Sequence, residues 1–376
     1  MEDRYLIEPD TKFIKEVNEQ AGGTLKKCFQ CSTCTVICNL SPEERPFPRK
    51  EMIWAQWGLK ERLVKDPDIW LCHQCTDCST NCPRDAKPAE VLAAIRNYAI
   101  GHFSRPAFLA KAVSSPRYLP VILAIPAILL FLFFWITENL QFPAGIISPE
   151  DMFRSSYTYG AMTVILVFMI VVSLSGAYRF WKGFNQFGVD TGIATGSRDN
   201  WMKALWAVIV DIIKHSKFGK CGENKLSRYT HLIIFYGAIL LLISTALSAT
   251  LHHLVHIYSP HILLGPVKIA GNLGALLFLT GLIIVICRRL STNSNLSNSA
   301  YFDWFLIWIL LLTNLTGVAT EVIRLAGLAV ATYVVYLLHL WLMFVFFIYL
   351  PFSKAAHMFY RIVALTYTRQ IGREAQ

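Results

Sequence analysis

Charge is what this 376-residue sequence has least of. Charged side chains make up only 16% of it, against about 25% in soluble domains. Negative charge is the scarcer sign, with 25 Asp and Glu against 35 Lys and Arg. The shortage is uneven. Residues 1–117 carry 15 acidic and 17 basic side chains, the balance of a water-soluble domain, whereas residues 118–376 carry 10 and 18 between long apolar runs. Disorder is excluded, and so is an ordinary soluble enzyme. No glycine-rich nucleotide loop occurs, so flavin or nicotinamide chemistry would belong to partners. Residues 1–27 lack the apolar core and cleavage site of a signal peptide. No repeated pair of broken apolar helices marks a transporter.

Six apolar runs reach the length of about 18 residues that a membrane helix needs. They lie near 118–137, 157–179, 229–255, 267–287, 302–323 and 330–352. If residues 1–117 are a cytoplasmic head, 15 Lys and Arg of the membrane part fall on the inner side. Only Arg154, Lys268 and Arg324 fall outside. This asymmetry orients the chain with both termini inside the cytoplasmic membrane. It also explains the net charge of +10 through a lipid bilayer, with no nucleic-acid partner. A head in a reducing compartment is not expected to form disulfides.

That expectation gives the ten cysteines their meaning, because eight fall in two copies of one pattern. Cys28, Cys31, Cys34 and Cys38 form the first, and Cys72, Cys75, Cys78 and Cys82 the second. Both read Cys-x2-Cys-x2-Cys-x3-Cys, the bacterial ferredoxin run, in which three cysteines hold one cluster and the fourth holds the other. The spacing predicts one 4Fe–4S cluster on Cys28, Cys31, Cys34 and Cys82, and another on Cys72, Cys75, Cys78 and Cys38. Structural zinc would instead show separated Cys-x2-Cys pairs. Asn39 stands where proline closes the second run. A helix is expected over Pro48–Trp70 and another after Pro88, with no strand pattern, so the head reads as an α-helical ferredoxin. Cys221 and Cys287 are isolated, and Cys287 reads as packing.

Ionisable groups within spans are expensive and usually functional. His339 and His357, read on one last helix, are 18 residues apart, five turns and about 27 Å, so they face one way. On the third run His231 lies at the inner end, with His252, His253 and His256 at the outer end. Helical phase puts His256, His253 and His252 about 20°, 40° and 60° from His231. Matched depths predict a b haem between His231 and His357. A second would lie between His339 and either His252 or His253, His256 being farther out. The plainer alternative is amphipathic histidines at the membrane surface. His73 reads as a residue shielding a cluster. His215 falls on an amphipathic stretch, Trp201–Lys217, lying along the inner face. Glu321 and Arg324, three residues apart, either satisfy each other or line a quinone or proton site.

These residues carry a resemblance. Across residues 10–100 the duplicated cysteine runs with Pro48-Arg49-Lys50 between them resemble the C subunit of heterodisulfide reductase. Arg228-Tyr-Thr-His231 and Pro351-Phe-Ser-Lys-Ala-Ala-His357 resemble the nitrate reductase gamma family of dihaem cytochromes b. Fused, the two look like the C subunit of the quinone-interacting membrane-bound oxidoreductase complexes of sulfate reducers. The resemblance implies an all-α chain, a ferredoxin domain at 1–117 and a six-helix cytochrome b domain at 118–376. It also implies haem ligation by His231, His339 and His357. Electrons would pass between menaquinone and flavoprotein subunits resembling heterodisulfide reductase A, toward adenylylsulfate reductase. Two rival readings are a passive iron–sulfur anchor without a quinone site and a homologous subunit serving a heterodisulfide or sulfite reductase.

Overall fold

The computed structural model of the chain describes residues 8–137, 147–152, 155–191, 200–220, 225–291 and 300–373, and among them all regular structure is helical. Arg154, Arg198 and Cys221 lie outside the described residues.

The two cysteine runs fold alike. Gln30 and Gln74, two residues past each first cysteine, have φ of 67° and 55°, and Ser32 and Thr76, two residues further, have φ of 70° and 73°. Each pair of left-handed turns swings successive thiols to one side before a single helical turn begins, α2 (Thr33–Val36) in the first run. In this way the sequence duplication becomes a structural one. Preceding the runs is α1 (Thr11–Gln20), capped by Asp10, whose carboxylate accepts from Phe13 N at 2.9 Å.

The helix expected over Pro48–Trp70 is three: α3 (Arg49–Gln56), α4 (Lys60–Val64) and α5 (Asp68–Leu71). Gly58 ends α3 with φ +69°, and any Cβ there would meet Asp10 N at 2.8 Å, so only glycine fits. Asp66-Pro67 separates the other two. The second run then supplies α6 (Asp77–Thr80), followed by α7 (Pro88–Phe103) and α8 (Ala107–Val113). Phe13, Met52, Leu63, Trp70, Leu92 and Ile95 are buried between them.

Among the described residues six helices are long and apolar enough to cross a membrane, and this is a multi-pass membrane protein. They are α9 (Leu119–Thr137), α10 (Ser155–Asp190), α12 (Lys225–Thr250), α13 (Pro266–Leu290), α14 (Tyr301–Leu325) and α15 (Ala329–Tyr349), with α11 (Trp201–Lys214) between the second and third. Helices α12 and α13 approach closely at Gly237, where a Cβ would lie 2.7 Å from Phe278 N. Small residues permit such contact where the surroundings are as apolar as the side chains. At 36 residues, α10 is about 54 Å long, more than a bilayer core. Its last turns leave the bundle and brace the head: Arg179 Nε donates to Phe103 O at 2.9 Å, and Lys65 Nζ to Gln186 Oε1 at 3.3 Å.

Helix α15 stops at Tyr349, and the chain turns at Pro351 and at Ser353, which is extended with ψ 176°. A separate helix, α16 (His357–Gln370), then runs between head and bundle against α5, α10 and α11. Trp70, Phe103, Phe180, Phe184, Tyr360 and Tyr367 form one aromatic layer across this seam. Tyr367 Oη donates to Phe184 O at 3.0 Å, and Ser104 Oγ to Pro351 O at 2.9 Å. One apolar core is therefore continuous from head to bundle.

Candidate metal centres

The eight thiols gather into two fours. Cys28, Cys31, Cys34 and Cys82 line one cavity, and Cys38, Cys72, Cys75 and Cys78 line the other. Each cavity thus takes three cysteines of one run and the last of the opposite run. None of the eight is in a disulfide. Backbone and side-chain N–H groups point at the sulfurs: Ala86 N to Cys82 and Gln74 N to Cys72, both at 3.3 Å, and Gln30 Nε2 to Cys28 at 3.4 Å. Burial pushes Cys34 up to about 11 and Cys38 to about 12, and crowding by other thiols adds to it. Four such thiols can ionise together only around a positive core. Donor number, identity and N–H···S bonding all suit a 4Fe–4S cluster in each cavity.

The cavities differ in outlook. Cys31 is exposed beside Arg49, and Phe29, which Arg84 overlies, is 58% exposed. The second cavity faces the bundle. His73 on its wall meets Phe218 edge-on at 4.7 Å between ring centroids, and Phe218 stacks on His231 at 5.5 Å. Arg96 and Arg361 both donate to Cys72 O at 3.3 Å, tying the second run to α7 and α16.

The histidines of the membrane part are not arranged as helical phase predicts. His339 and His357 do not share a helix, because Pro351 and Ser353 break the chain between them, so their common direction cannot be counted in turns. His357 instead begins α16, where burial holds it down at about 4, and its Nδ1 donates to Lys354 O at 2.6 Å. His231 and His357 lie within electrostatic reach of each other and of Arg361. His339 sits in a notch of α14: Nδ1 donates to Thr313 O at 3.0 Å, and a Cβ on Gly317 would come within 3.1 Å of Cε1. A neutral imidazole that donates from Nδ1 presents Nε2 as its lone-pair nitrogen, the state a metal ligand requires.

At the far end of α12 the helix widens into a π-turn, Leu251–Val255, and this resets the phase of His252 and His253. Both rings pack on Tyr159, at 5.0 and 4.5 Å. His252 is half-buried, with Nδ1 sheltered and without a partner among the described residues, while His253 is exposed. His256 lies beyond the π-turn, exposed, with φ 59°. The expected pairing of Glu321 with Arg324 gives way to an interhelical one: Lys268 Nζ on α13 lies 2.9 Å from Glu321 Oε2, and Glu321 Oε1 is buried without a partner among the described residues.

A buried ionic cluster, unforeseen from sequence, stands behind the second run. Lys50 Nζ contacts Glu51, Asp66 and Asp68 at 2.6, 2.8 and 2.5 Å, and Arg373 grips Asp68 with two nitrogens. Also unforeseen is the contact of His215 with His231, whose ring nitrogens lie 3.1 Å apart. No local sequence pattern announces it, because His215 falls inside the amphipathic stretch Trp201–Lys217 and its left-handed helix end appears only in the fold.

Comparison with known proteins separates the two halves. A family model described as Citrate utilization protein B matches residues 119–376, and a 4Fe–4S dicluster domain model matches residues 24–86. The chain belongs to the citrate utilization protein B family. Citrate utilization protein B of Escherichia coli is 24% identical over 96% of this chain and 94% of its own length. The head is similar to the C subunit of H(2):CoB-CoM heterodisulfide,ferredoxin reductase of Methanothermobacter marburgensis, 37% identical over 28% of this chain and 57% of that protein. A protein of Archaeoglobus profundus, itself described as like the C subunit of heterodisulfide reductase, is 33% identical over 26% of this chain and 56% of its own. The chain thus spans about half the length of the two curated relatives that match its head. No solved structure matches. The head is an iron–sulfur electron-transfer module like the C subunit of heterodisulfide reductase. The membrane half is corrected: it resembles Citrate utilization protein B and not a nitrate reductase gamma domain. The histidine motifs quoted for that resemblance are too short to tell one apolar helical bundle from another.

Proposed function

We propose that this family member is the membrane electron-transfer subunit of an oxidoreductase complex, linking a quinone such as menaquinone to a soluble partner. In this reading residues 1–117 form the cluster domain on the cytoplasmic side and residues 118–376 the membrane domain. The observation that carries it is the bridge from the second cysteine cavity through His73 and Phe218 to His231. Cys28, Cys31, Cys34 and Cys82 would hold one 4Fe–4S cluster, and Cys38, Cys72, Cys75 and Cys78 the other. His231 with His357, and His339 with His252 or His253, would hold b haems. Burial favours His252, which is half-buried where His253 is exposed. Bound there, these groups would supply one-electron transfer between quinone and partner.

The chain's own residues fix, shield and orient. Carbonyls of Lys354 and Thr313 set the tautomers of His357 and His339. The aromatic seam excludes water between head and bundle. Glu321, with its unpartnered oxygen, and Arg324 remain candidates for a quinone or proton site near the far end. The full-length likeness to Citrate utilization protein B favours, as a second reading, a partner acting in organic-acid metabolism over adenylylsulfate reductase and heterodisulfide reductase A-like flavoproteins. The test is to add a menaquinol analogue to the purified, oxidised chain and follow its optical spectrum. Bleaching of the iron–sulfur bands with growth of reduced b bands is expected. No reduction, with dithionite still effective, would leave a passive anchor.

A further inference from the structure

His215 ends α11 in the left-handed region, φ 50°, which glycine occupies freely and other residues rarely. Histidine is one of the few other residues enriched there, and a left-handed residue commonly ends a helix, so what distinguishes His215 is where its ring goes. It is buried, 7% exposed, and its ring is fixed from both sides. Nδ1 lies 3.4 Å from Ile213 O and Nε2 lies 3.1 Å from His231 Nδ1. A carbonyl only accepts, so His215 carries its proton on Nδ1, and its bare Nε2 accepts from His231 Nδ1–H. His231 Nε2 is then left as the lone-pair nitrogen. Tyr236, five residues along α12 from His231, donates to the same Ile213 O at 2.7 Å and so pins the end of α11 to the helix that carries His231. Phe218, three residues past His215, stacks on the His231 ring.

We infer that His215 is a positioning residue that sets the tautomer, orientation and donor strength of His231 as an axial haem ligand. The inference rests on the haem ligation proposed above. Lysyl and threonyl carbonyls do this for His357 and His339; here a second imidazole does it. Because an imidazole acceptor on Nδ1–H makes a ligand more basic, it stabilises oxidised iron and holds the potential of that haem low.

The test is His215→Gly in the full-length chain. Glycine suits the left-handed backbone, so the variant keeps the helix end while losing the ring and its nitrogen. His215→Gln, whose Oε1 can still accept, is the conservative companion. The readouts are a potentiometric titration and the low-spin haem EPR signals, with cluster iron and the haem at His339 as internal controls. In His215→Gly one haem is expected to move to higher potential and change its low-spin signal, the other to stay, and Gln to restore part of the shift. Removing such a partner also weakens metal-site affinity by about 10–100-fold, so that haem should be lost first on dilution. An unchanged potential and signal in His215→Gly would overturn the inference. So would conversion to a high-spin signal, which would make His215 itself the ligand. A wild-type chain without haem would instead defeat the ligation reading itself.

Discussion

Replacing Arg373 with methionine removes a cation that ties the end of the described chain to the head. Its Nε donates to Asp68 Oδ1 at 2.8 Å, Nη2 reaches Asp68 Oδ2 and, at 2.7 Å, Arg45 O, and Nη1 reaches Glu44 O at 2.8 Å. Asp68 is fully buried and Arg373 nearly so. In the intact cluster, Lys50 and Arg373 face Asp66, Asp68 and Glu51. Burial, reinforced by Asp66 and Asp68, pushes Glu51 up to about 8, so it keeps its proton near neutrality and the charges balance. Without Arg373, a buried carboxylate faces one shared lysine and two carbonyls lose their donor. Breaking a buried pair from one side costs about 3–5 kcal/mol. At an unfolding entropy of about 2.1 cal/mol/K per residue, a chain of 376 residues shifts by roughly 1.3 °C per kcal/mol, so the transition of the purified protein should fall by roughly 4–6 °C. Protease should also release the head at lower temperature. Truncation after Gln370 should give a fall of the same order, since it removes the same bonds. A transition unmoved within a degree in both variants would refute the lock and make the tail a passive end.

The same cluster sets a pH dependence. Because the folded protein binds a proton on Glu51 that the unfolded chain releases, stability should decline as pH rises from about 4.5 to about 8. Glu51→Gln should flatten that slope and melt higher above pH 8; an equally steep profile would contradict it. Cys82→Ser should perturb the cluster of the first run, and Cys38→Ser that of the second, by EPR of the reduced protein. Perturbation confined to each residue's own run would reject crossed ligation. In Gly317→Ala the new methyl would press on the His339 ring at 3.1 Å. The low-spin signal of one haem should shift and the cluster signals stay, whereas an unaffected spectrum would remove His339 from the ligand set.

Much of this is legible in the sequence because the chemistry is written in short spacings. The cysteine intervals alone predict which thiols share a cavity, and the apolar runs fall on the six helices that, among the described residues, are long and apolar enough to cross a membrane. Expectation and structure part where backbone regularity is assumed. Counting turns from His339 to His357 ignores Pro351, and counting from His231 to His253 ignores the π-turn at Leu251–Val255. Partners distant in sequence are out of reach of local pattern: Lys268 lies 53 residues from Glu321 and Arg373 lies 305 from Asp68. By pattern His215 is one residue of an amphipathic helix, since only the folded chain reveals that its ring turns back onto His231.

The most direct measurement is the cofactor content of the detergent-purified full chain: non-haem iron, acid-labile sulfide and a pyridine haemochrome on one sample. Two 4Fe–4S clusters and two b haems per chain correspond to about eight irons, eight sulfides and two protohaems, which is the result expected. Eight irons without haem would contradict the histidine ligation and reduce the chain to a ferredoxin on a membrane anchor. Zinc in place of iron would contradict the electron-transfer function altogether.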